Sequence, residues 1–329
     1  MLAMMLEAVG EPLRLREIAD PVPRAGELRV RIRACGVCRT DLHVVDGELP
    51  GIRTPLIPGH EIVGHVDALG AGVTGFGIGN LVGVPWLGSS CGSCGYCREG
   101  RENLCDAPGF TGYTRPGGFA THVVADASHC IRLHEDATPV ATAPLLCAGL
   151  IGWRCLKRSG PARKLGLYGF GAAAHLIAQV AKFQGRKVFA FTRPDDAAAQ
   201  AFAISLGVDW AGGSDELPPE PLDSAIIFAP VGALVPIALR AVRKGGRVTC
   251  GGIHMSDIPA FPYRLLWEER ELVSVANLTR ADAHDFLAAI ATMPLQTFAR
   301  AYPLERANEA LLDLRQGRLS GASVIVPEG

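Results

Sequence analysis

The chain has 329 residues, a formal net charge of −1, 39 glycines, ten cysteines and 6% aromatic residues. That length allows two domains with sizeable cores, and the near-neutral charge gives no footprint for nucleic acid. There is no run of ~18 apolar residues to span a membrane, and the opening MLAMMLEAVGEPLRLREI lacks the basic segment and cleavage site of a signal peptide. A cytoplasmic chain is expected, with reduced thiols, so clustered cysteines read as ligands or reactive groups rather than disulfides.

The N-terminal part reads as short strands with frequent glycine turns. ELRVRIRA (27–34) and EIVGHVDAL (61–69) are its clearest strands, and they predict a β-rich, barrel-like lobe. Between them lies ACGVCRTDLH, with Cys35, Cys38, Thr40, Asp41 and His43, followed by PGHEIVGHV, with His60 and Glu61. Next come GVPWLG, with Trp86, and SSCGSCGYCREGRENLC, which holds Cys91, Cys94, Cys97 and Cys105 within fifteen residues. A Cys-x2-Cys turn aims two sulfurs at one point, the next Cys-x2 step continues the wrap, and Cys105 returns to close a tetrahedron. Zinc accepts four thiolates at ~2.3 Å, and such a site has no position left for substrate. Two disulfides, a redox pair or an iron–sulfur cluster are the alternatives.

Farther on, APLLCAGL contains Cys147. Singly, a buried His or Cys is an ordinary core residue. Together, Cys38, His60 and Cys147 offer two thiolates and an imidazole, and three protein ligands with one open position suit a catalytic zinc.

From residue 164 the pattern changes. KLGLYGFGAAAHLIAQVAKFQGRKVFAFTR reads as strand (165–168), glycine turn, helix (172–183) and strand (188–191), with Gly185 as the helix-stop glycine. The turn is Gly169-x-Gly171-x-x-Ala174. Gly169 allows the tight bend, Gly171 lets backbone approach a pyrophosphate, and Ala174 keeps helix and strand close. The second strand ends in Thr192 and Arg193, where NAD-binding chains of this pattern place an acid on the ribose. With no carboxylate to repel a 2′-phosphate and a guanidinium at hand, NADP is favoured over NAD. Asp195 and Asp196 either reach back to the ribose or start the next helix. DSAIIFA, GRVTCGG and ELVSVAN continue as strands, ALVPIALRAVRK and AHDFLAAIAT as helices, and DELPPEPLD as an exposed connection. The whole is α/β, with a doubly wound parallel sheet of six strands. The chain closes on a strand, ASVIVP.

CGVCRTDLH, GHE, the four-cysteine lobe and the Gly-x-Gly turn, in that order, resemble the zinc-dependent alcohol dehydrogenases of the medium-chain dehydrogenase/reductase superfamily, over nearly the whole chain. The resemblance implies a GroES-like catalytic domain at 1–145 and 283–329, with a structural zinc lobe near 88–108, and a Rossmann domain at 146–282. It makes Cys38 rather than Cys35 the ligand in CGVC, and the four lobe cysteines the structural zinc ligands, giving two zincs per chain. It implies reversible hydride transfer between an alcohol and NAD(P). Thr40 and His43 are the family's proton-relay positions, the proton passing through the cofactor ribose to water. A helix-capping threonine and a surface histidine are the plain alternatives. Glu61 lies near the metal, to assist ligand exchange or balance charge, and Asp41 orients the local turn.

Trp86 matches a substrate-pocket position, with Leu87 and Tyr113 as neighbours, although a tryptophan there also reads as core. His254 reads as a surface loop residue or a contact to the nicotinamide side. Cys130, Cys155 and Cys250 read as small buried residues. A small-molecule alcohol or aldehyde is the expected substrate, and a homo-oligomer, dimer or tetramer, the expected assembly. A polyol or cinnamyl-type alcohol dehydrogenase differs only in its pocket. A non-catalytic dinucleotide-binding or redox-sensing relative would have little need for the Cys38, His60, Cys147, Thr40 and His43 set.

Overall fold

The computed structural model describes residues 1–327. They form two compact units, the first of residues 1–148, 277–284 and 297–327, the second of 149–276 and 285–296.

The first unit is built on a seven-stranded sheet. Its central strand is Glu27–Val37, where Leu28, Val30, Ile32 and Ala34 are buried while arginines 29, 31 and 33 occupy the alternate positions. That alternation puts one face into the core. The strand pairs along its length with Glu61–Leu69, and its two ends take different further neighbours. The first half pairs with His122–Asp126 and the last residues with Ala322–Val326, all antiparallel. The register sets Gly36 opposite Glu61 and Cys35 opposite Ile62. The functional residues therefore leave from one end of a strand pair whose bodies make the core. Beyond Val37 the chain enters the short helix Arg39–Val45, with Cys38 as its N-cap.

The second unit carries a six-stranded, fully parallel sheet. In chain order its strands are β1 (Lys164–Tyr168), β2 (Lys187–Thr192), β3 (Trp210–Gly213), β4 (Leu222–Ile227), β5 (Val242–Cys250) and β6 (Glu271–Ser274). Across the sheet they run β3-β2-β1-β4-β5-β6. The order reverses between β1 and β4, and ligands bind at such switch points in doubly wound sheets. Ala172–Phe183 is the helix that follows β1, and Ala174, Leu176, Ile177, Ala178, Val180 and Ala181 are its buried stripe.

One expected boundary moves. Residues 285–296 group with the parallel-sheet unit rather than with the first. The Phe286 ring lies 5.9 Å from Trp153, and Gln179 exchanges hydrogen bonds of 2.9 and 3.0 Å with the backbone of Gln296. The division therefore falls inside the helix Arg280–Ile290, which an alternation of helices and strands cannot reveal. The strand expected at 246–252 begins earlier, at Val242, and ends at Cys250. Among the described residues, no single helix is long and apolar enough to cross a membrane.

Candidate active site and metal centres

Cys38, His60, Glu61 and Cys147 come from three separate segments, yet their ligand atoms all lie within 4.8 Å of one another. Cys38 and Cys147 sulfurs are 3.9 Å apart. Asp41, fully buried one turn into the helix, organises the group. Its Oδ2 accepts the backbone N–H of Cys38 at 2.8 Å. Its Oδ1 accepts the N–H of Gly59 at 3.1 Å and lies 3.0 Å from His60 Nδ1. A histidine whose Nδ1–H is held by a carboxylate presents Nε2 as a lone-pair donor. His60 Nε2 is buried and makes no hydrogen bond. An orphaned, lone-pair-bearing nitrogen beside two sulfurs is what a metal would satisfy.

The charges point the same way. Contact with Cys147, and then His60, holds the Cys38 thiol well below its ordinary value, while the Cys147 thiol is pushed up by Cys38 and by burial. Burial and the Cys38 sulfur push the Glu61 carboxyl well up. Burial works against a charged His60, but Asp41 overrides it and raises the imidazole. Two thiols and two carboxyls thus share a buried pocket with one imidazole, and a dication relieves that imbalance. Room for Glu61 comes from Gly36, where any Cβ would stand 1.8 Å from Glu61 Oε2.

Thr40 Oγ1 is 3.8 Å from Cys38 Sγ. His43, on the same helix, is buried, and its Nδ1 is paired with Glu48 Oε2. Trp86 meets the His60 ring edge-on at 4.9 Å and stacks on Phe110 at 5.0 Å and Tyr113 at 5.8 Å. Leu87 is buried. The sequence reading missed Phe110, which lies in a two-residue strand, Gly109–Phe110, too short to show an alternating pattern, and gave Asp41 only a local turn. Its place three residues after an N-cap was the available signal.

The second cluster is local. The sulfurs of Cys91, Cys94, Cys97 and Cys105 also lie within 4.8 Å of one another. Each step of the wrap is fixed by amides pointing at sulfur: Cys94 N–H to Cys91 at 3.3 Å, Cys97 N–H to Cys94 at 3.5 Å, and Cys91 N–H to Cys105 at 3.2 Å. Amide donors draw the Cys91 thiol down to about 6, whereas burial and neighbouring thiols push Cys97 up to about 12. Four sulfurs so placed cannot all be thiolates without a cation. No cysteine is in a disulfide. Cys35, Cys130 and Cys155 have thiols pushed up chiefly by burial, in keeping with small packed residues, and Cys250 is half-buried.

In the second unit Gly169, at φ +88°, turns β1 toward its helix, and a Cβ there would meet Ala229 at 2.8 Å. A Cβ on Gly171 would enter open space at the helix N-terminus, where no side chain caps the helix. That leaves a cradle and amide donors for a phosphate. Ala174 is buried against the sheet. Thr192 is turned inward, its hydroxyl bonded to Arg193 O at 2.9 Å and Gly212 O at 3.3 Å. Arg193 is 75% exposed and 3.6 Å from Asp196, whose other oxygen caps the next helix at Ala199 N. His254 is exposed.

A three-ligand metal pocket on a β-rich unit, joined to a parallel-sheet unit with a phosphate-binding turn, defines a zinc-type, dinucleotide-dependent oxidoreductase of the medium-chain class. Comparison with known proteins gives the family. Residues 24–135 match the alcohol dehydrogenase GroES-like domain. The chain is 46% identical over 323 residues to a probable alcohol dehydrogenase AdhA of Mycobacterium tuberculosis, covering 96% of this chain and 93% of that one. It is 32% identical to an alcohol dehydrogenase of Geobacillus stearothermophilus, over 99% of each. The cobalt- and zinc-bound thermostable alcohol dehydrogenase of Pyrobaculum aerophilum superposes with a TM-score of 0.91 at 27% identity, over 99% of each chain. The chain belongs to the zinc-type medium-chain alcohol dehydrogenases, and its activity is alcohol–aldehyde oxidoreduction.

Asp41→Ala is expected to loosen zinc at the Cys38–His60–Cys147 cluster ~10- to 100-fold, as removal of an outer-shell partner does. Competition with a chelator measures it, and unchanged retention would show that His60 needs no help from Asp41.

Proposed function

We propose that zinc occupies both clusters, that the second unit binds NADP in preference to NAD, and that Thr40, His43 and Glu61 serve the reaction at the Cys38–His60–Cys147 site. The observation carrying this reading is the buried, unpartnered His60 Nε2 beside two sulfurs. Zinc bound there supplies a Lewis acid for the substrate oxygen, and the nicotinamide supplies the hydride acceptor. The protein's own task is the proton that the alcohol must lose. Thr40 offers a hydroxyl next to the ligand sulfur of Cys38, and His43, one turn farther along the same helix, takes the proton outward. Glu61, the fourth ligand-capable group in the pocket, balances charge and offers a carboxylate for ligand exchange. Cys91, Cys94, Cys97 and Cys105 form a closed site that staples a loop.

The stacked rings of Trp86, Phe110 and Tyr113 beside His60 favour a flat, apolar alcohol over a polyol, which would leave its hydroxyls unpaired against that wall. This supports a cinnamyl- or benzyl-type substrate. For the cofactor, the end of β2 carries no carboxylate, the Thr192 hydroxyl is engaged by backbone and by the Gln200 amide, and Arg193 is exposed with Asp196 3.6 Å away.

Two zincs per chain are expected by elemental analysis. Cys94→Ser should lose one of them together with thermal stability, while the folded fraction still turns over. A Cys94→Ser variant that keeps its melting temperature but has no turnover would reverse the assignment of that cluster.

His43→Ala should lower kcat/KM ~10²-fold with zinc retained, the low end of general acid–base contributions. An unchanged rate across a pH series removes His43 from proton release.

Steady-state kinetics on a panel of aromatic alcohols, aliphatic alcohols and polyols decides both remaining points. A preference for NADP of roughly tenfold in kcat/KM is expected, the worth of one modest charge-assisted contact. It should disappear in Arg193→Ala, and a wild type that prefers NAD by the same factor sinks the cofactor reading.

A further inference from the structure

Helix Arg39–Val45 ends in a way that brings a second ionisable group onto His43. Asp46 is the C-cap and Gly47 follows at φ +79°, the left-handed conformation that glycine adopts without strain. The Gly47 N–H bonds Val44 O at 3.3 Å and the Glu48 N–H bonds His43 O at 2.9 Å. These two bonds make a Schellman motif, which folds the chain back over the last turn. Glu48 is thereby returned to the residue five positions before it, and its Oε2 pairs with His43 Nδ1. A side chain larger than glycine at position 47 is excluded twice, by φ and by Val9 Cγ1, which would stand 2.4 Å from a Cβ.

Resting on the proposed role of His43, we propose that Glu48 is a positioning residue for proton release: it holds His43 through Nδ1–H, so that the other ring nitrogen takes the outgoing proton and the imidazolium so formed is balanced. The His43 side chain is 9% exposed and that of Glu48 44%, so the pair bridges the interior and the surface. One proton enters the ring at its second nitrogen and is later released from that nitrogen to water, the Nδ1–H stays hydrogen-bonded to Glu48 throughout, and no electrons move. The logic is that of a carboxylate that fixes a histidine tautomer and stabilises its cation. The charged groups around the pair are Asp46 and Arg315. Arg315 comes from the helix Ala307–Arg315, forms two 2.7 Å bonds to Asp46, and also feels the Glu48 charge. With Asp46 neutralising Arg315, Glu48 is left to His43. Nearby, the Tyr113 hydroxyl donates to Pro50 O and secures the chain just after Glu48.

The test compares wild-type holoenzyme with Glu48→Ala, Glu48→Gln and Glu48→Asp, each also in a His43→Ala background. Three measurements are made: kcat/KM for an alcohol the wild type oxidises, zinc content, and the 15N shifts of the His43 ring. Glu48→Ala should lower kcat/KM roughly tenfold, a part of the ~10²-fold owed to the histidine, with zinc and melting temperature unchanged. The ring should pass from a single Nδ1–H tautomer to a mixture. Glu48→Asp should recover part of the rate, and Glu48→Gln, which keeps an acceptor but no charge, should keep the tautomer and lose the rate. In the His43→Ala background none of the three should matter, because coupled residues are not additive. A tautomer and rate indifferent to Glu48→Ala overturn the proposal, as does an equal loss with His43 already removed, which would make Glu48 structural. A wild type slowed by His43→Ala but not by any Glu48 change overturns this inference alone. A wild type unaffected by His43→Ala overturns the relay on which it rests.

Discussion

Asp41 takes three hydrogen-bond donors on two oxygens while shielded from water, and the geometry of the active site hangs on that arrangement. An ionised carboxylate taken out of water costs several kcal/mol unless its lone pairs are filled. Here the donors are the amide that starts a helix, the amide that precedes a strand, and an imidazole. Filling the carboxylate therefore fixes the positions of Cys38 and His60 relative to each other, although 21 residues separate them. It also settles which nitrogen of His60 faces the sulfurs. The helix is seven residues long, too short to persist on its own end-to-end hydrogen bonding, so its two caps decide its shape. The first cap is the Cys38–Asp41 bond and the second is the turn at Gly47. One short helix thus places Cys38 of the ligand-capable cluster at its start and the His43–Glu48 pair at its end.

The two metal clusters solve the same electrostatic problem by opposite routes. In the lobe, four sulfurs come from one fifteen-residue loop, and each successive backbone amide points at the sulfur before it. Local turns do all the positioning, and the rest of the fold is needed only to present the loop. In the active site the ligands come from a helix cap, a strand start and a segment more than eighty residues later. Tertiary packing must bring them together, and a polar second layer must hold them. The first design gives a closed, rigid site. The second gathers Cys38, His60, Glu61 and Cys147 with no fourth thiol, and Trp86 packs against the His60 ring.

That difference also explains what could be read from the sequence. The lobe was legible because its geometry is encoded in spacing. The helix 172–183 was legible to the residue, since an apolar stripe and a terminal glycine bound it. The strands of the parallel sheet were legible as buried runs, though their ends were not: ALVPIALRAVRK reads as helix to Lys244, but the helix ends at Ala241 and β5 takes up the chain from Val242. Cys147 carried no local signal; it sits among alanines and leucines that read as core, and it became a candidate only when counted with Cys38 and His60 as a third ligand. Glu48 and Phe110 were not legible, because the contacts that give them meaning are a side-chain return across a capping turn and a ring stack between segments distant in sequence. The boundary inside the helix Arg280–Ile290 escaped for a related reason, since a continuous helix gives no sign of which neighbour each of its ends will pack against.

The dinucleotide end shows how an absence can be informative. The helix after β2 begins in the ordinary way, with the Asp196 side chain capping Ala199 N–H at 3.1 Å. The helix after β1 begins with Gly171 and three alanines and has no such cap. The first turn of any helix leaves amide hydrogens without partners inside the helix, and burying them without a cap is costly. Here they border open space that a Cβ on Gly171 would enter. Glycine and alanine stand where serine or aspartate would cap the helix, and an uncapped helix start is where an anion can satisfy the free amides and the helix dipole together. Thr192 at the neighbouring strand end is turned inward as well, its hydroxyl bonded to the backbone of Arg193 and Gly212 and to the Gln200 amide.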